Sequence, residues 1–150
     1  MGTELIFEGP LYGKEQLLRF IPQRNPIVMM DDLIDWNTKS TTSALTITDE
    51  NIFTANNEFS EPGVIENFAQ TMALRIGYHY YLLNQPAPVG YIGSFKKFSL
   101  TRNPLVGEKI KTTIEVLHEL FGVTMAKGIM YVEDEEIARI EMKTVVAKED

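Results

Sequence analysis

The stretch Glu61–Asn84, EPGVIENFAQTMALRIGYHYYLLN, constrains the fold more than any other part of the chain. Ile65, Phe68, Ala69, Met72, Ala73, Ile76 and Tyr80 recur at intervals of three and four, the period of an α-helix with one buried stripe. The pattern predicts a single long helix over about residues 62–83. Ser60 or Glu61 is placed to cap its start, and Pro62 suits a first turn in which no backbone N–H is missed. Asn84 suits the left-handed closing position, and Pro86 forbids continuation. From Ile76 to Leu83 the helix is apolar or aromatic around much of its circumference, which predicts enclosure by other elements. One carboxylate, Glu66, stands in its opening turns beside the stripe.

What flanks this helix reads mainly as strands. Glu4–Glu8 is expected to form a short strand and Gly13–Phe20 a short helix ending at Ile21-Pro22. Ile27–Trp36 and Thr41–Thr48 are expected strands, the second alternating and rich in β-branched residues. Asp49–Ser60 reads as a loop. After the helix, strands are expected at Val89–Thr101, Glu108–Glu119, Gly122–Val132 and Glu136–Val146, with turns at Asn103–Gly107 and Glu133–Glu135. Connections this short exclude parallel pairing. The layout is α+β, a mostly antiparallel sheet curled around one central helix. Residues 1–150 are expected to form one domain, with no repeat or linker.

Composition narrows the function. A net charge of −7 opposes nucleic-acid binding, which needs a dominant basic face. No apolar run approaches the roughly 18 residues of a membrane span, and MGTELIFEGP lacks the pattern of a secretory signal. The chain has no Cys, which excludes disulfides and thiol chemistry and suits the cytoplasm. With only two His, a zinc site would need carboxylates, and no spacing suggests one. Neither a metal nor another cofactor is expected.

Three segments carry a family resemblance. Ile21-Pro22-Gln23-Arg24-Asn25-Pro26 followed by Asp31 is similar to an L-P-H-R-x-P…D segment. Pro62-Gly63-Val64 followed by Glu66-Asn67-Phe68-Ala69-Gln70 resembles a P-G-V…E-x-M-A-Q helix. Gly93–Phe98 followed by Pro104-Leu105-Val106-Gly107-Glu108 is similar to a strand ending in P-V-x-x-G-D. In this order they resemble the bacterial 3-hydroxyacyl-acyl-carrier-protein dehydratases of the hotdog fold, and more closely the shortened dehydratase-like proteins of aryl-polyene and related pigment pathways. The resemblance spans about residues 14–147. It implies a hotdog fold and an acyl-thioester ligand, and dimers whose central sheets join, with the acyl site between subunits.

The chain departs from that family at its catalytic His, which lies in a G-H-F-P segment before the helix. Here the segment is shorter, and Glu58 precedes Phe59 where the His would stand. Gln23 replaces a second, non-catalytic His. Dehydration of a 3-hydroxyacyl thioester needs a base for the proton beside the carbonyl and an acid for the departing hydroxyl. By resemblance Glu66 is the acid; no obvious base remains, and Glu58 could serve as one only if it faces the same cavity. Gly63 or Val64 would offer a backbone N–H to the thioester oxygen, aided by the helix dipole, and Gly63 would admit a ligand close to the backbone. Gln70 lies one turn beyond Glu66 and is a candidate to orient it. Phe59 is expected beside an apolar tunnel that opens near Gly63 and Glu66 and runs toward Val89–Phe98. His79 is about 20 Å further along the helix axis, too far to join Glu66 within one subunit, and His118 falls among strand residues.

Lys96, Lys97 and Arg102 form the densest basic stretch and, in this family setting, a candidate docking patch for an acyl carrier protein. Three readings stay open: a dehydratase-related protein acting on or holding carrier-bound 3-hydroxyacyl or 2-enoyl thioesters, a thioesterase using Glu66, and a non-catalytic subunit paired with an active dehydratase. The assembly is expected to be a homodimer, a higher oligomer, or a heterodimer with such a dehydratase.

Overall fold

The computed structural model describes residues 5–146. The chain runs β1 (Leu11–Tyr12), α1 (Lys14–Leu17), β2 (Asp32–Trp36), β3 (Ser40–Thr46), β4 (Thr54–Ala55), β5 (Glu58–Phe59), α2 (Glu61–Leu82), β6 (Gly90–Leu100), β7 (Lys109–Leu120), β8 (Val123–Val132) and β9 (Glu135–Val146). Seven strands form one antiparallel sheet in the order β1-β2-β3-β7-β8-β9-β6, and β4-β5 is a separate hairpin. This is the hotdog fold, one long helix against a curved sheet. No helix among the described residues is long and apolar enough to cross a membrane.

The helix packs on two sides. Val64, Phe68 and Met72 meet Ile110, Ile114, Met130, Ile140 and Met142 on the inner face of the sheet. Leu74 and Tyr78 meet Leu17, Phe20, Ile21, Val28, Leu33 and Trp36 from the N-terminal third. The fully buried side therefore includes Asn67, Gln70 and Thr71, while Ile65, Ala69, Ala73, Ile76 and Tyr80 of the expected stripe are only partly buried. The apolar period marks the helix correctly, but half of its stripe faces a groove instead of the core. Asn84 takes the left-handed position after the helix, at φ 55°.

Two expected strands are not formed as read. Residues 5–8 have no regular structure, and Glu4 lies outside the described residues. The backbone there is tied to the helix instead, Glu8 N–H donating to the Tyr78 hydroxyl at 2.9 Å. Residues 27–31 likewise form no strand, although Asp31 N–H donates to Ala44 O of β3 at 2.7 Å. Backbone groups of Ile27 and Met29 are met by side-chain amides of α2. Met29 N–H donates to Gln70 Oε1, Gln70 Nε2 donates to Ile27 O and Asn67 Nδ2 to Met29 O, each at 2.7 Å. A backbone so satisfied has no need of a strand partner.

The loop expected over Asp49–Ser60 contains the β4-β5 hairpin. Asn56 and Asn57 both have positive φ, 53° and 66°, the geometry of a tight two-residue hairpin turn. Phe59 N–H donates to Pro104 O and Val106 N–H to Asn57 O, which fastens the hairpin to the turn before β7.

Candidate active site

The hairpin and the start of α2 set the geometry of the candidate residues. Strand alternation sends Phe59 into the core, where it is fully buried, and leaves Glu58 exposed on the opposite face. The hydrogen bond that reaches Glu66 comes from Gln70, and none joins it to Glu58 among the described residues. Glu58→His alone is accordingly expected to give no gain in dehydration, measured as 2-enoyl product formed. A clear gain would show that the exposed position reaches the substrate.

Gly63 is required by packing. A Cβ there would lie 2.7 Å from both Phe53 Cβ and Phe59 Cζ, so the space expected to admit a ligand is filled by the Phe53 side chain and the Phe59 ring. Val64 N–H is committed to Ser60 O at 3.1 Å. Gly63 N–H has no backbone or capping partner among the described residues, as expected of a group in the first turn of a helix.

Glu66 is partly buried and held by one contact, Gln70 Nε2 donating to its Oε1 at 3.1 Å. Gln70 is fully buried. Its carbonyl takes Met29 N–H and its amide reaches Ile27 O as well as Glu66. It links the Pro22–Asp31 segment to the carboxylate and has no polar atom left over for a ligand. Asn67, which the sequence reading did not single out, accepts from Thr112 Oγ1 at 2.6 Å while donating to Met29 O. Polar residues at the helical spacing of Asn67, Gln70 and Thr71 were the signal for this clasp.

The apolar cavity does not open at Gly63, as expected, but further along the helix. A groove of about 350 Å³ is walled by Phe20, Ala69, Ala73, Ile76, Val89 and the start of β6 at residues 90–92. Gly63 sits against Phe53 and Phe59 and so cannot form a mouth. The groove begins one turn beyond Glu66 and follows the same helix face, since Glu66, Gln70, Ala73 and Gly77 lie one above another. From Ala69 to Gly77 it spans about 12 Å at 1.5 Å per residue.

The other candidates fall outside this face. Arg102 is held by Glu108 at 2.7 Å and Glu135 at 3.0 Å, hydrogen bonds that raise its pKa further above its ordinary value. Lys97 pairs with Glu141 at 3.0 Å. Lys96 alone of the three has no ion pair among the described residues. The His79 ring lies 6.0 Å from that of Trp36, and burial, then Arg75, lowers its pKa. His118 is exposed on β7.

One long helix with a carboxylate in its opening turns and an apolar groove along it, wrapped by a seven-stranded antiparallel sheet, defines a protein of the hotdog class. A family model described as ApeP-like, ApeP dehydratase, matches residues 15–149, and the chain belongs to this family. No curated protein matches it by sequence. Among solved structures it is similar to a chain of the dehydratase heterocomplex ApeI:P from Xenorhabdus doucetiae, with a TM-score of 0.81 and 13% identity over 89% of this chain and 91% of that one. It is also similar to smu.793 from Streptococcus mutans bound to acetyl CoA, with a TM-score of 0.67 and 7% identity over 86% of this chain and 97% of the other. A hypothetical thioesterase from Streptococcus pneumoniae with coenzyme A has a TM-score of 0.64 and 7% identity, over 78% and 85%.

Proposed function

We propose that the chain binds 3-hydroxyacyl or 2-enoyl thioesters of an acyl carrier protein, in cytoplasmic fatty-acid or polyene biosynthesis, and that Glu66 is the acid–base group it contributes to their interconversion. The observation that carries this reading is the alignment of Glu66 with the groove along one face of α2. An acyl chain lying in the groove places its thioester end near the start of the helix. There Glu66 gives a proton to the departing hydroxyl as a base takes the proton beside the carbonyl. The C–H electrons form the double bond, the C–O bond breaks, and water leaves. Gly63 N–H is the donor for the charge building on the thioester oxygen.

The base is the missing part, and we assign it to a second hotdog subunit. Strand β6 supports this. It is the long edge strand of the sheet, eleven residues against two for β1 at the other edge, and residues 90–97 are exposed. Tyr91, Ile92 and Phe95 are between 44% and 61% exposed, and such an edge invites a further strand. The ApeI:P relative is itself a dehydratase heterocomplex. Lys96, on this strand, remains the candidate contact for an acidic carrier protein. Phe95→Asp, which places charge on the exposed edge, is expected to convert the assembly to monomer in sedimentation at micromolar concentration. Wild-type protein that stays monomeric both alone and with a His-bearing homologue would rule out the paired reading.

A second reading, hydrolysis of the thioester by water activated by Glu66, draws on the single carboxylate and the absent base. One experiment separates the two. Incubation with 3-hydroxyacyl and 2-enoyl thioesters, alone and with a co-purifying homologue, is followed by mass spectrometry and thiol release. Gain or loss of water supports the dehydratase reading, and free thiol supports the thioesterase.

A further inference from the structure

The groove beside α2 adjoins a second recess, of about 350 Å³, at the end remote from Glu66. Arg19, Phe20 and Gly77 line both. Past them the wall of the recess includes Tyr81, Asn84 and Gln85, and no Asp or Glu is among its lining residues. Arg19 therefore stands where the apolar groove gives way to a polar one. Its Cζ lies 4.7 Å from the centre of the Phe20 ring and 5.1 Å from that of Tyr81, close enough for a cation–π attraction to each. The two rings meet edge to face at 5.1 Å. Phe20 is buried in the core cluster, so the seat of the guanidinium is fixed by packing.

The charge of Arg19 is unanswered within the fold. Arg75, Arg102 and Arg139 pair with carboxylates and Arg24 donates to two backbone carbonyls, whereas Arg19 has no ion pair among the described residues. Glu15, four residues earlier, makes none with it. In a chain of net charge −7 a cation has many carboxylates to choose from, yet the recess supplies none. We infer that the groove takes an acyl chain whose far end carries a carboxylate, received by Arg19 in this recess. A guanidinium stacked on rings keeps its edge N–H groups for a planar anion, which it meets with two parallel hydrogen bonds. The side-chain amides of Asn84 and Gln85 add donors of the right kind to the same wall. Gly77 lies about 16 Å beyond Glu66 at 1.5 Å per residue, so an extended chain of about a dozen carbons spans from the helix carboxylate to the recess. The inference rests on the reading of the groove as an acyl site with the thioester end at Glu66, and adds the class of chain it selects.

The test uses two unreactive probes of equal length, a saturated acyl-pantetheine amide and its ω-carboxy counterpart. Binding is measured by calorimetry to the purified protein and to its complex with any co-purifying subunit, over a series of chain lengths. At the length that reaches Arg19, the ω-carboxy probe is expected to bind about fivefold more tightly, the order of one ion pair at a solvent-accessible site, and the gain should shrink as salt is raised. Arg19→Met keeps a stem that lies on the two rings and removes the charge. It is expected to melt like the wild type, to bind the saturated probe as before and to lose the preference. Equal affinity for the two probes at every length, or a preference untouched by Arg19→Met, overturns the anion subsite and leaves the acyl groove standing, provided the saturated probe binds more tightly as it lengthens. A third probe, the saturated one with a phosphate on its pantetheine, tests the other source of an anion. Tighter binding of that probe that depends on Arg19, with no gain from the ω-carboxylate, overturns the carboxylate and gives the recess to the pantetheine phosphate. Failure of all probes to bind at any length overturns the groove reading together with it.

Discussion

Glu66→Gln is expected to fold like the wild type and to lose turnover by about 10²- to 10⁴-fold, the usual contribution of one positioned acid–base group. Folding is preserved because the contact that holds Glu66 needs only an acceptor. Gln70 Nε2 donates to Oε1, and a glutamine carbonyl at residue 66 accepts in the same place. What disappears is the proton that the carboxyl carries and returns. The measurement is formation of 2-enoyl thioester, and in parallel release of thiol, by whichever assembly turns substrate over. An unchanged melting temperature with lost turnover locates the chemistry at Glu66. Turnover equal to wild type would make the carboxylate structural, and both enzyme readings would lose their acting group.

Gly77→Ala is expected to destabilise the protein by more than about 3 kcal/mol, enough to threaten folding of a marginally stable domain. Helix propensity alone points the other way, since alanine is favoured over glycine inside a helix by about 1 kcal/mol. Packing decides the sign. A Cβ at Gly77 would fall 1.8 Å from Phe20 O and 2.7 Å from Phe20 C. A backbone carbonyl cannot swing aside as a side-chain tip can. The helix must separate from the 17–21 segment, which opens the cluster of Leu17, Phe20, Ile21, Leu74 and Tyr78. Phe20 and Gly77 also line the groove, so ligand binding should fall with stability. Gly90→Ala is the control, since its nearest neighbour would be an Ile76 methyl at 3.8 Å, and it should shift stability by less than about 0.5 kcal/mol. Urea unfolding compares the two, and a Gly77→Ala protein as stable as wild type would show that α2 does not seat on Phe20.

The amino-acid sequence alone determined the elements that rest on local regularity. The period of Ile65 to Tyr80, with Pro62 before it and Asn84 after, marked α2 to within two residues of its observed ends. Alternation and short turns marked the four strands after it, because antiparallel neighbours need only local chain reversal. Three motifs in order pointed to the family, and the chain's lack of a His before residue 79 pointed to the missing base. Tertiary structure decided what lies between distant segments. Residues 27–31 have the composition of a strand, but Asn67 and Gln70, some forty residues away, take hydrogen bonds of Ile27 and Met29. Glycines 63 and 77 look alike in sequence. Only the fold sets one against the side chains of Phe53 and Phe59 and the other against the carbonyl of Phe20. The groove forms because β6 sits at the open edge of the sheet, where α2 has no further strand to cover its apolar stripe. Burial is a property of the whole packed chain, so no window of sequence distinguishes a stripe that meets the core from one that lines a groove.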